Sequence, residues 1–85
     1  MIISFTERSW SEYNSWQEAD KKIFAKIQKL IKEVLRSPFS GTGKPEPLKN
    51  NLSGYWSRRI THEHRLVYKV ENNQLIIISL KFHYS

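Results

Sequence analysis

A single α+β domain over residues 1–85, in the order β-α-α-β-β-β, is the fold this sequence predicts: a twisted, mainly antiparallel sheet with two helices packed on one face. Three observations predict it. A helical-period hydrophobic repeat runs from Ile23 to Leu35, and every proline and glycine falls between Pro38 and Gly54. Beyond Gly54 the residues turn to aromatic and β-branched types broken by short polar turns.

Met1 to Phe5 reads as a first strand. Thr6 is placed to cap a helix with Glu7 in its first turn, and Trp10, Tyr13 and Trp16 make one face of that helix aromatic. A break near Ala19 lets Asp20 cap a second helix, in which Ile23, Ile27, Leu30, Ile31, Val34 and Leu35 share a face while Lys21, Lys22, Lys26, Lys29 and Lys32 occupy the others. Ser37 precedes Pro38, which ends the helix near Arg36. Pro38 to Gly54 is one loop, with room for a very short strand at Pro47 to Lys49. Strands then follow at Tyr55 to Ile60, His64 to Val70 and Leu75 to Tyr84.

At 85 residues the chain can bury only about 60 to 65% of its unfolded surface, which allows one modest core. Cysteine is absent, so neither a disulfide nor a thiolate zinc site can support it, and the aromatic residues must supply the burial. No signal-like start and no membrane-spanning run is present, so a cytoplasmic protein with no membrane partner is expected. The net charge of +6 favours a polyanion, and with the aromatics it favours nucleic acid.

Strand alternation sorts the candidate chemistry. In the last strand Ile76, Ile78, Leu80 and Phe82 are expected to pack on the helices, with Ser79, Lys81 and His83 opposite; in the middle strand Leu66, Tyr68 and Val70 face inward and Arg65, Val67 and Lys69 outward. Arg59 alternates away from Ile60 and can join Arg65 and His83 on the uncovered face.

Cutting RNA needs a base for the 2′-hydroxyl, a cation for the charge that grows on phosphorus, and an acid for the leaving oxygen. Glu46, stiffened between Pro45 and Pro47, suits the base, although an ordinary exposed glutamate reads the same way. Arg65 and Arg59 suit the cation, or else a cross-strand pair with an acid such as Glu63. His83 suits the acid, or is plain surface. Tyr84 could stack on a base or pack in the core. Lys44, Lys49, Arg58 and Arg59 are the basic residues expected to contact RNA. His62 and His64 form an H-x-H pair without an evident third ligand, so no metal and no cofactor are expected.

The run GTGKPEPLKNNLSGYWSRRITHEHRLVYKV, Gly41 to Val70, with the terminal Phe82-His83-Tyr84, strongly resembles the Txe/YoeB toxins of the RelE/ParE superfamily, and the likeness spans essentially the whole chain. That resemblance implies a ribosome-dependent endoribonuclease that enters the vacant A site and cuts mRNA, restrained by a YefM/Phd-type antitoxin. Matched position by position, it implies Glu46 as general base, Arg65 as phosphate stabiliser and His83 as general acid, with Tyr84 in the active site and Lys49 and Arg59 as supporting basic residues. It also suggests a homodimer. Ser85 departs from the family's His-Tyr ending. On the same fold, a ParE-like toxin that binds DNA gyrase without cutting RNA is the main rival, and a simple RNA-binding module is the third reading.

Overall fold

The computed structural model describes residues 1–82 and has the predicted class. Strand β1 (Ile2–Phe5) leads into helices α1 (Glu7–Ala19) and α2 (Lys21–Arg36). After the loop come β2 (Glu46–Pro47), a single 3₁₀ turn (Asn50–Leu52), β3 (Trp56–Arg59), β4 (Arg65–Glu71) and β5 (Gln74–Ser79). The sheet order is β1-β5-β4-β3-β2, with β1 parallel to β5 and every other pairing antiparallel.

Local chemistry explains the helix ends. The Thr6 hydroxyl accepts from the Ser9 backbone and the Ser9 hydroxyl accepts from the Thr6 backbone, a reciprocal cap in which serine takes the place usually held by Glu or Gln. Ser9 also donates to the Ile77 carbonyl at 2.6 Å, tying the start of α1 to β5. The Asp20 carboxylate accepts from the Lys22 and Ile23 backbones and opens α2.

The expected apolar stripe of α2 does become the core, with Ile27, Leu30, Ile31 and Val34 buried and Ile23 and Leu35 packed at its margin. Trp16, Ile60, Leu66, Tyr68, Leu75, Ile77 and Leu80 complete it. The aromatic row of α1 forms a chain of contacts: Trp10 stacks on Tyr13 at 5.8 Å, and Tyr13 meets Phe24 of α2 edge-on at 4.8 Å.

The last strand departs from expectation. Its buried apolar residues are Leu75 and Ile77, with Ser79 buried as well, whereas Ile76 and Ile78 are only partly buried. Tyr68 pairs with Ile77 while Val67 pairs with Ser79, so Ile78 is an extra residue, a bulge that reverses the alternation and brings Leu80 back to the core. The pairing of β5 ends at Ser79, and the short strand foreseen at Pro47 to Lys49 forms at Glu46–Pro47. Asn72 and Asn73, both at positive φ, make the tight turn from β4 to β5.

Arg58 is the second correction. Expected among the RNA-contacting residues, it alternates with Trp56 and Ile60 toward the helices and is fully buried. Its Nη2 donates to the Ser37 and Ser40 carbonyls, its Nη1 to Thr42 O at 3.2 Å and its Nε to the Tyr68 hydroxyl at 3.2 Å. The Tyr68 hydroxyl in turn donates to Pro38 O at 2.6 Å. A buried cation is tolerated only when its donors are used, and here they gather the carbonyls of the loop that follows α2.

Two predictions follow from this packing. Burial raises the Tyr68 pKa above its ordinary value of 10.0, against the opposing hydrogen bond and charge of Arg58. The unfolded chain therefore loses this proton first, and stability must fall as pH rises above about 10. Tyr68→Phe should flatten that alkaline fall in denaturant titrations, and at neutral pH should cost about 1 to 3 kcal/mol because Arg58 Nε loses its acceptor. A Cβ at Gly43, which sits at φ 87°, would stand 3.1 Å from Arg58 Cβ and 3.2 Å from Arg59 O. Gly43→Ala should thus lower the melting temperature by several degrees, on the order of 1 kcal/mol or more.

Candidate active site

The sheet face turned away from the helices is built by register. Trp56 and Tyr68 face each other on the helix side, so the next pair, Ser57 and Val67, points to the opposite face, although both of these residues are buried. Glu46 is opposite Ser57 and joins that row. One step further, on the same face, Arg59 lies directly opposite Arg65. Glu46 and Arg59 are diagonal neighbours, a relation that puts Cα atoms about 7 to 8 Å apart.

Glu46 is exposed at the sheet edge, where β2 spans only two residues. Leu48 N donates to Tyr55 O at 2.8 Å and continues the pairing just beyond it. Arg59 is exposed as well, and its backbone N–H donates to Gly43 O at 2.7 Å. That bond brings Lys44, exposed and at φ 51°, next to the Arg59 backbone. Lys49 is exposed at the start of the 3₁₀ turn.

Arg65 is half-buried at the start of β4. Its Nη1 donates to the carbonyls of Thr61, His62 and His64 at 2.9, 3.1 and 3.1 Å, which holds the guanidinium against the turn. Its Nε and Nη2 form no hydrogen bond with another described residue. Glu63, weighed above as an ion-pair partner, lies instead 3.5 Å from His64 Nε2. Among the described residues no acid pairs with either arginine. Two arginines thus stand in register across the ladder with no acid of the described residues paired to either, an arrangement that an anion would stabilise.

His83 and Tyr84 lie outside the described residues. The chain just before them is held firmly: Arg65 N donates to Phe82 O at 2.9 Å, and Phe82 N donates to His64 Nδ1 at 2.8 Å. His64 Nδ1 is thereby used within the fold. Its ring packs edge-on against Trp16 at 4.9 Å and beside Phe82 at 5.3 Å, while His62 is exposed in the turn. Among the described residues no three His, Cys, Asp or Glu side chains group as metal donors. No helix of the described residues is long and apolar enough to cross a membrane. Sequence reasoning weighed His64 only as half of an H-x-H metal pair, yet its alternation with Leu66 was a sign that it faces the core.

The chain has close relatives. A family profile described as the YoeB-like toxin of bacterial type II toxin-antitoxin systems matches residues 5–84. The Toxin YoeB of Escherichia coli K12 is 57% identical over 84 residues, covering 99% of this chain and 100% of the relative. A YoeB/ParE toxin from Agrobacterium tumefaciens superposes with a TM-score of 0.96 at 49% identity, covering 99% of this chain and 100% of that one. The YoeB of Staphylococcus aureus, solved as a dimer, superposes at 0.92 with 48% identity, covering 99% and 98%. In the YoeB-YefM complex from the same organism the values are 0.91, 47%, 99% and 98%. With the profile spanning nearly every residue and the fold superposing end to end, the chain belongs to the YoeB-like toxins of bacterial type II toxin–antitoxin systems.

Proposed function

We propose that this toxin is an endoribonuclease that cuts mRNA in the ribosomal A site by general acid–base catalysis and so inhibits translation. The observation that carries the proposal is the pair of Arg59 and Arg65, opposite one another in register with no acid of the described residues paired to either and with Glu46 on the same face. Such a pair suits a phosphate of the RNA backbone.

In this reading Glu46 takes the proton of the 2′-hydroxyl, whose oxygen then attacks the adjacent phosphorus. Arg65, held by the turn carbonyls, stabilises the charge that grows on the non-bridging oxygens, and Arg59 assists from across the ladder. His83 gives a proton to the departing 5′-oxygen, and Tyr84 lines the same site. The bonds balance as a 2′,3′-cyclic phosphate on one fragment and a 5′-hydroxyl on the other, so no metal or cofactor is required. Lys44 and Lys49 contact flanking phosphates. The ribosome supplies an oriented mRNA, which replaces much of the positioning that so small a protein lacks.

The S. aureus YoeB-YefM complex and YoeB dimer support a YefM-type antitoxin as the restraining partner and a homodimer as a further assembly. An acidic antitoxin segment would complement the net charge of +6. Action on translating ribosomes makes the cytoplasm the place of activity.

Mapping mRNA 5′ ends in a translating extract tests the reading. Cuts confined to A-site codons, with 5′-hydroxyl ends, are expected from the wild type, and Glu46→Ala and His83→Ala should each lower the single-turnover rate by about 100- to 10,000-fold while ribosome binding persists. Intact mRNA with the wild type would overturn the nuclease and direct attention to gyrase. In a separate salt titration with single-stranded RNA, Lys44→Ala and Lys49→Ala should each reduce the log–log slope by about 0.7.

A further inference from the structure

The segment that leads to His83 is clamped from several sides. Leu80 N donates to Glu12 Oε1 at 2.7 Å and Leu80 O accepts from Trp16 Nε1 at 3.0 Å. Lys81 Nζ sits over the Trp16 ring at 5.3 Å. Phe82 then adopts φ 59°, a left-handed backbone that a bulky residue keeps only when its surroundings enforce it.

Two consecutive residues enforce it. The Arg65 backbone N–H takes the Phe82 carbonyl, and the His64 ring takes the Phe82 N–H on Nδ1 at 2.8 Å. An Nδ1 that accepts carries no proton, so the ring is the Nε2–H tautomer, with Nε2 turned toward Glu63. The ring is also seated by its edge-on contact with Trp16, at 77° between planes. Arg65 Nη1 donates to His64 O as well, so the two residues at the entry to β4 join the Arg65 guanidinium to the backbone just ahead of His83.

We propose that His64 is a positioning residue for RNA cleavage: by accepting the Phe82 N–H it sets the point and direction from which the chain delivers His83 to the leaving oxygen. This rests on the assignment of His83 as general acid. His64 touches no substrate in this scheme. Its contribution is aim, and a misplacement near one ångström can cost on the order of 100-fold in rate.

The test uses the full-length protein on ribosomes programmed with a synthetic mRNA, in single-turnover mode at saturating toxin. One mRNA carries the normal 5′-oxygen at the cut site and the other a bridging 5′-sulfur, a leaving group that needs no proton. His64→Leu, which keeps bulk but removes the acceptor, should slow the normal mRNA by about 10- to 100-fold and the sulfur mRNA by less than about threefold. His64→Asn, whose amide oxygen can take over from Nδ1, should restore most of the rate on the normal mRNA. An equal loss on both mRNAs, or no loss on either, would overturn the proposal. His83→Ala serves as the reference. If that variant cuts the normal mRNA at the wild-type rate, the acid assignment fails and the proposal falls with it, whereas a slow His83→Ala beside a fast His64→Leu defeats the positioning role alone. A through-hydrogen-bond coupling between the Phe82 amide nitrogen and His64 Nδ1 should be visible by NMR in the wild type. Its absence would overturn the proposal whether or not the leucine variant folds.

Discussion

The rest of the structure depends on one buried cation. Arg58 cannot be left without acceptors in a core of Ile, Leu and Val, because an ionised group deprived of water is costly by several kcal/mol unless its donors are used. The acceptors it finds are the Ser37, Ser40 and Thr42 carbonyls, all on the loop leaving α2. Satisfying the guanidinium and shaping the loop are therefore the same event. The loop carries Gly43 and Lys44 to the side of Arg59 and then enters β2, where Glu46 stands. A residue on the helix side of the sheet thus governs what is presented on the opposite side.

Neighbouring arginines divide the work by parity. Arg58 and Arg59 differ only in the direction their side chains leave the strand, yet one is an internal fastener and the other an exposed charge opposite Arg65. The face that carries Arg59 and Arg65 concentrates positive charge that no acid of the described residues pairs with, and that self-repulsion is a burden on stability. The anchored ends of the segment from Leu80 to Phe82 show the same economy of parts, since Glu12, Trp16 and His64 each serve the helix–sheet packing and the run toward His83.

Much of this was legible in the sequence, for identifiable reasons. The α2 stripe and the Thr6 and Asp20 caps are local signals, so residue spacing alone reveals them. Parity correctly separated Leu66 and Tyr68 from Arg65, and it set Arg59 apart from Ile60. It failed in β5 because one extra residue, Ile78, reverses the alternation without a glycine or proline to mark the bulge. Arg58 was misread because charge suggested surface, although its alternation with Ile60 pointed inward. Glu46, Arg59 and Arg65 could be brought together only through the pairing of three strands, a long-range property that spacing does not encode; there the resemblance supplied what local chemistry could not. The expectations for His83 and Tyr84 fall outside the described residues.

The pairing of β1 with β5 has a consequence for how the molecule comes into being. Ile2 is matched with Gln74 and Phe5 with Ile77, so the first strand to leave a ribosome has to wait for the last of the five. Until then Ile2 and Ile3 lack a neighbour, and the core lacks Leu75, Ile77 and Leu80. Closing so long a chain segment is entropically slow compared with forming either helix. A growing polypeptide of this kind is helical and basic well before it has a complete sheet, and the cell that makes it has an interval in which to capture it before the sheet closes.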